Sequence, residues 1–165
     1  MKRARNVMLL ALLLLLACGM LPTGVAAAPN DGGGETGVLV DITRATYLSL
    51  ESDGVADDVV TDFRVVTSRT LMFQVSYLYC FLELPSGLTY LYVLKVIGTY
   101  SQLVLTLGWI DVASESGWYA LYIYAEIVEP HHSHWGYDDT YFDPPDGGIP
   151  GGPLVVELIS VGYQA

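Results

Sequence analysis

All three histidines of the chain fall within Glu129-Pro130-His131-His132-Ser133-His134-Trp135. Such crowding is hard to ascribe to core packing. In an extended backbone His132 and His134 point the same way, about 6–7 Å apart along the chain. That spacing lets two imidazoles share one Zn²⁺ or Cu²⁺, with His131 adjacent and Asp138, Asp139 or Glu129 as a third ligand. The segment reads as a polar loop running on through Gly136-Tyr137-Asp138-Asp139. The alternative to a metal site is a solvated histidine cluster.

A second group of ligand-type residues is Ser49-Leu50-Glu51-Ser52-Asp53-Gly54-Val55-Ala56-Asp57-Asp58. Oxygen donors at alternate residues, a glycine at the sixth position and an acid at the ninth are the logic of a wrapped Ca²⁺ loop. The pattern resembles the D-x-D-x-D-G-x-x-D loops of integrin-type FG-GAP repeats and EF-hand-like motifs. The resemblance implies side-chain ligands from Ser49, Glu51, Asp53 and Asp57 and a carbonyl from Val55. Ser49 replaces the leading Asp and Glu51 the second. No downstream helix supplies a bidentate Glu. A plain acidic turn between strands is the competing expectation.

Catalytic frames are absent. The sequence holds no G-x-S-x-G elbow, no H-E-x-x-H and no paired acids in a recognisable arrangement. The Pro/Gly-rich stretch at 143–153 lacks the Lys-Ser/Thr of a phosphate loop and reads as a spacer or rim. Cys80, inside Tyr79-Cys80-Phe81-Leu82, reads as a small buried hydrophobe. A non-catalytic protein is expected.

Strands must carry these groups. Val59, Thr61, Phe63 and Val65 alternate with Asp58, Asp62 and Arg64. Leu103, Leu105, Leu107 and Trp109 alternate with Gln102, Thr106 and Gly108, and Tyr119, Leu121, Ile123, Ala125 and Ile127 define a third inward set. Further strands are expected near 38–49, 70–84, 88–99 and 153–162, with turns at Pro85-Ser86-Gly87 and Ser116-Gly117. About seven strands with no helical period predict an all-β antiparallel β-sandwich. The layout over 38–162 resembles the immunoglobulin-like and fibronectin-type modules of exported prokaryotic surface proteins. The antibody-type Cys…Trp…Cys pattern is missing.

Aromatic residues also fall opposite the expected core. Trp118, Tyr122 and Tyr124 form an outward set, and Tyr90 and Tyr92 are assigned to a second outward set beside Leu91 and Val93. Such rings either stabilise neighbouring strands or form a binding face for carbohydrate, protein or a second copy.

The beginning of the chain sets the compartment. Lys2, Arg3 and Arg5 precede the apolar run Val7–Ala17, and small residues end at Val25-Ala26-Ala27-Ala28. The run is too short for a bilayer span of about 20 residues and reads as a cleaved signal. The expected division is signal 1–28, flexible spacer 29–37 and sandwich 38–165. Leu15-Leu16-Ala17-Cys18 resembles a lipobox, so Cys18 lipidation is the alternative ending and the only expected membrane link. The formal charge is −11, and losing the signal leaves Arg44, Arg64, Arg69 and Lys95 as the basic residues. So acidic a surface argues against nucleic acid. The expectation is an exported cell-surface binding or assembly protein, calcium-stabilised, with metal handling by the histidine loop as the alternative.

Overall fold

The computed structural model describes residues 37–51, 54–68, 73–129, 131–144 and 155–164. The expected signal, Cys18, Asp53 and most of the Pro/Gly-rich stretch lie outside the described residues. Eight strands follow in chain order: β1 Val38–Leu48, β2 Asp58–Thr67, β3 Gln74–Glu83, β4 Thr89–Gly98, β5 Gln102–Ile110, β6 Tyr119–Val128, β7 Ser133–Phe142 and β8 Val155–Gln164. They form two four-stranded sheets, ordered β1-β2-β5-β8 and β4-β3-β6-β7, and every pairing is antiparallel. The protein is a β-sandwich.

Alternation explains the layers. Val59, Phe63 and Val65 of β2 and Leu103, Leu105, Leu107 and Trp109 of β5 are buried against Leu78, Cys80 and Leu82 of β3 and Leu121, Ile123 and Ala125 of β6. Polar groups inside this core are paired. Trp109 Nε1 donates to Thr61 Oγ1 at 3.2 Å, Gln74 Nε2 donates to the Tyr100 carbonyl at 2.8 Å, and the hydroxyls of Ser76 and Tyr100 bond each other. Burial pushes the Cys80 thiol well above its ordinary range, which holds it protonated.

β7 occupies the segment expected to be a polar loop, so the sandwich has one strand more than expected. The reason lies at a seam between the sheets. Edge strands β1 and β7 approach closely, and a Cβ at Gly136 would stand 2.8 Å from Val38 Cγ1 and 2.9 Å from the Val38 carbonyl. The β1–β2 register shifts between Ile42 and Arg44, and beside that shift the Ile42 amide of this edge strand points toward β7. Asp138 answers it: its Oδ2 accepts the Ile42 N–H at 2.7 Å. A glycine and an aspartate on the inner side of β7 serve this seam, and they erase the apolar alternation that would have marked a strand.

The β5–β6 connection is fixed by Tyr119, which is fully buried at the start of β6. Its hydroxyl donates to the Glu115 carbonyl at 3.0 Å and accepts the Glu115 N–H at 2.9 Å.

The seam yields a direct test. Gly136→Ala should lower stability by about 1–3 kcal/mol, because the added methyl meets a backbone carbonyl that cannot yield. The melting temperature, followed by circular dichroism, should fall by roughly 5–10 °C. Gly162→Ala is the control, since its Cβ would find nothing nearer than 3.9 Å, and its melting temperature should stay within about 2 °C of the parent.

Candidate functional site

The two sheets present different outer faces. On β1-β2-β5-β8 the outer face mixes ion pairs with aliphatic side chains: Arg44 Nε lies 2.7 Å from Asp62 Oδ2, Arg64 Nε lies 2.6 Å from Asp41 Oδ2, and Thr106 Oγ1 donates to Asp62 at 2.8 Å, while Leu39, Val66 and Val104 share this face with Asp41 and Arg64. Among the described residues none of its outward side chains is aromatic.

On β4-β3-β6-β7 the outer face is aromatic. The register sets Tyr79 opposite Tyr124 and Phe81 opposite Tyr122, and continues with Tyr124 opposite Tyr137. Tyr124 and Tyr137 have ring centroids 4.7 Å apart. Phe81 meets Tyr124 edge-on at 5.9 Å, Tyr79 stacks on Trp135 at 6.0 Å, and Tyr122 meets Tyr141 edge-on at 6.5 Å. Toward the β7 edge the rings open to solvent, with Trp135, Tyr137 and Tyr141 exposed by 42%, 43% and 56%.

Carboxylates are set among these rings as acceptors. Tyr79 donates to Glu126 at 3.1 Å, Tyr122 to Glu83 at 3.3 Å, and Tyr137 to Asp139 at 2.7 Å. Partial burial is the largest cause that moves the ionisation of these three hydroxyls to higher pH, followed by hydrogen bonds to neighbouring side chains and nearby negative charge. The hydroxyls therefore remain neutral donors at physiological pH. Lys95 Nζ lies 5.5 Å from the Tyr77 ring centroid and is the cation of this face among the described residues.

Tyr122 and Tyr124 stand on this face as expected, and Trp118 stands exposed just before β6. Tyr90 and Tyr92 do not. They pair with Leu82 and Cys80 and pack inward against the core, reversing the expected orientation. Both alternating sets of β4 are apolar or aromatic, so parity is decided by Lys95, which goes outward with Leu91 and Val93. Tyr77, Tyr79, Phe81, Trp135, Tyr137 and Tyr141 were not anticipated. Glu83 shares their parity on β3 and Asp139 on β7, and that was the available signal.

The expected transition-metal residues separate. Glu129, His132 and His134 come together: His132 Nε2 lies 2.9 Å from Glu129 Oε2, and His134 Nε2 lies 3.7 Å from Glu129 Oε1. His131 is exposed and outside this group. Asp138 turns to the β1 seam and Asp139 to the aromatic face.

Of the expected calcium residues, Ser49 Oγ donates to the Glu51 carbonyl at 2.6 Å, Val55 is exposed, and Asp57 is buried. Asp57 groups with Asp58 and Asp111. The sequence reading did not single out Asp58 as a ligand or an acceptor. Its carboxylate accepts the Leu50 N–H at 2.5 Å and the Asp111 N–H at 2.9 Å, so it fastens the β1–β2 connection to the end of β5. Asp111 itself takes a left-handed backbone, with φ of 55°.

Among the described residues no helix is long and apolar enough to cross a membrane. No family model, curated protein or solved structure matches the chain.

The tyrosine environment predicts alkaline behaviour. Tyr79, Tyr92, Tyr100, Tyr119, Tyr122, Tyr124 and Tyr137 all have pKa values raised in the folded chain, with burial the first cause in each. The unfolded chain ionises near its ordinary value of about 10. Above that pH the folded state holds more protons, so the stability they contribute is complete below about pH 10 and is lost as pH climbs toward the raised values. Tyrosinate absorbance from this group should appear together with loss of the β circular-dichroism signal. Its full appearance near pH 10 in a still-folded protein would contradict the packing described.

Proposed function

We propose that this protein is an exported, non-catalytic binding module of the cell surface that holds carbohydrate on the aromatic face of β4-β3-β6-β7. One observation carries the reading: among the described residues the outer face of one sheet mixes ion pairs with aliphatic side chains and bears no rings, whereas that of the other is paved with rings. Contiguous exposed apolar surface of this kind marks an interaction site. Ring faces accept the apolar C–H side of a sugar, and Glu83, Glu126 and Asp139 beside them accept its hydroxyl protons.

Pairing of this face with a second copy is disfavoured by charge. It would bring three carboxylates against their equivalents with Lys95 as the opposing cation. A sugar polymer brings no such penalty.

Export is supported by Lys2, Arg3 and Arg5 ahead of the apolar run Val7–Ala17 and the small residues at Val25–Ala28. A surface-module architecture is supported by sheet membership and by one corner. Strands β1, β2 and β5 lie in one sheet, and β3, β6 and β7 in the other. This is the distribution of strands A, B, E against C, F, G in immunoglobulin-like domains. Tyr119, buried at the start of β6 with its hydroxyl on the Glu115 backbone, takes the place of the tyrosine corner of those domains. In that comparison β4 sits beside β3, and β8 is an added strand beside β5.

The test is binding to an immobilised array of β-glucan, chitin and mannan oligosaccharides, repeated with Trp135→Ala and Tyr137→Ala. Both side chains are substantially exposed, so the fold should survive, as circular dichroism can verify. Each variant should lose about tenfold to a hundredfold in affinity, or about 1.4–2.8 kcal/mol. Unchanged retention in both variants would remove the aromatic face from the reading. A concentration-dependent dimer in sedimentation, abolished by the same variants, would replace carbohydrate with self-association.

A further inference from the structure

We propose that Glu129, His132 and His134 form a binding site for one divalent transition-metal ion of the zinc–copper kind at the β6–β7 turn. Glu129 directly follows β6, His132 directly precedes β7, and His134 is the second residue of β7. The backbone holds them in place. The Glu129 N–H donates to the His132 carbonyl at 2.9 Å, and His134 pairs with Ile127 in the β6–β7 ladder.

Their donor atoms converge, with one ligand atom from each residue within 4.8 Å of the others. The two imidazoles lie 4.7 Å apart and nearly perpendicular, at 82°. Each directs Nε2 toward a different oxygen of the same carboxylate, at 2.9 and 3.7 Å. Two ligands at about 2.0–2.2 Å from a tetrahedral ion stand about 3.3–3.5 Å from each other. The two histidine–carboxylate separations lie on either side of that value, and all three donor atoms stay within 4.8 Å of one another.

An independent observation points the same way. His134 Nε2 is buried and has no hydrogen-bond partner. A histidine–carboxylate contact serving structure alone would need only the His132–Glu129 pair. Adding a second imidazole whose buried nitrogen is unsatisfied is unfavourable, and an ion between the three groups removes that penalty. Two imidazoles and one carboxylate suit zinc, copper or nickel, whereas calcium and magnesium take oxygen ligands. The three protein ligands leave a coordination position for water or an external donor.

Calorimetric titration of the purified protein with ZnCl₂ and CuCl₂, with CaCl₂ and MgCl₂ as comparisons, tests the site. One equivalent of zinc or copper should bind at micromolar concentration or below, with no comparable heat from calcium or magnesium. His132→Ala, His134→Ala and Glu129→Gln should each weaken binding at least tenfold, while His131→Ala should change it less than twofold. Metal-free circular dichroism identifies any variant that fails to fold. Electron paramagnetic resonance of the copper complex of the unaltered protein, which needs no variant, should show two nitrogen donors. Absence of zinc and copper binding, loss in His131→Ala equal to that in His134→Ala, or a copper spectrum with one or no nitrogen donor would each overturn the proposal.

Discussion

The arrangement rests on the pleat of β3 and the burial of one of its sides. Ser76, Leu78, Cys80 and Leu82 face the opposing sheet, and their burial is complete. Because side chains alternate with a period of two, slipping β3 by one residue would turn this entire set outward. Fully burying a leucine contributes about 1.5–3 kcal/mol, so exposing Leu78 and Leu82 would cost about 3–6 kcal/mol, a large part of a domain's typical stability of about 5–15 kcal/mol. The inner set therefore fixes the register with β4 and β6. Everything outside follows: Tyr77, Tyr79, Phe81 and Glu83 have only the outer face left to them.

That face is unusual in what it leaves in water. A sheet needs no second aromatic layer to fold, as the ion-paired surface of β1-β2-β5-β8 demonstrates in the same molecule. Ring contacts and tyrosine–carboxylate bonds lend the aromatic layer internal order, and the acidic balance of the chain opposes its self-association. Rings whose hydroxyls are already oriented by Glu83, Glu126 and Asp139 have little conformational freedom left to lose. The seam between β1 and β7 contributes to this order. Gly136 and Asp138 hold the inner side of β7 against β1 while Trp135, Tyr137 and Tyr141 point away from it.

The legible parts of the fold were those where chemistry and parity agree. Val59, Phe63 and Val65 and Leu103, Leu105, Leu107 and Trp109 are buried as read, whereas Asp58 and Gly108, expected on the wet sides, are buried as well. On β4 both sets are apolar or aromatic, so composition alone did not orient Tyr90 and Tyr92, and Lys95 was the deciding residue. β7 escaped because its inner side meets an edge strand instead of the core. A glycine and an aspartate answered that neighbour, and no one-dimensional pattern reveals a partner 96 residues away. The histidine cluster was visible from spacing, while its carboxylate partner was settled by the turn, which selects Glu129 and sends Asp138 and Asp139 to opposite faces.

The central claim is that one outer face of the sandwich, and not the other, meets the ligand. Nuclear magnetic resonance shift mapping with a retained oligosaccharide addresses it most directly. Perturbations should concentrate on Tyr79, Tyr124, Trp135 and Tyr137 and leave Asp41, Arg44, Asp62 and Arg64 unmoved. Shifts centred on the ion-paired face, or spread evenly over both faces, would contradict the account.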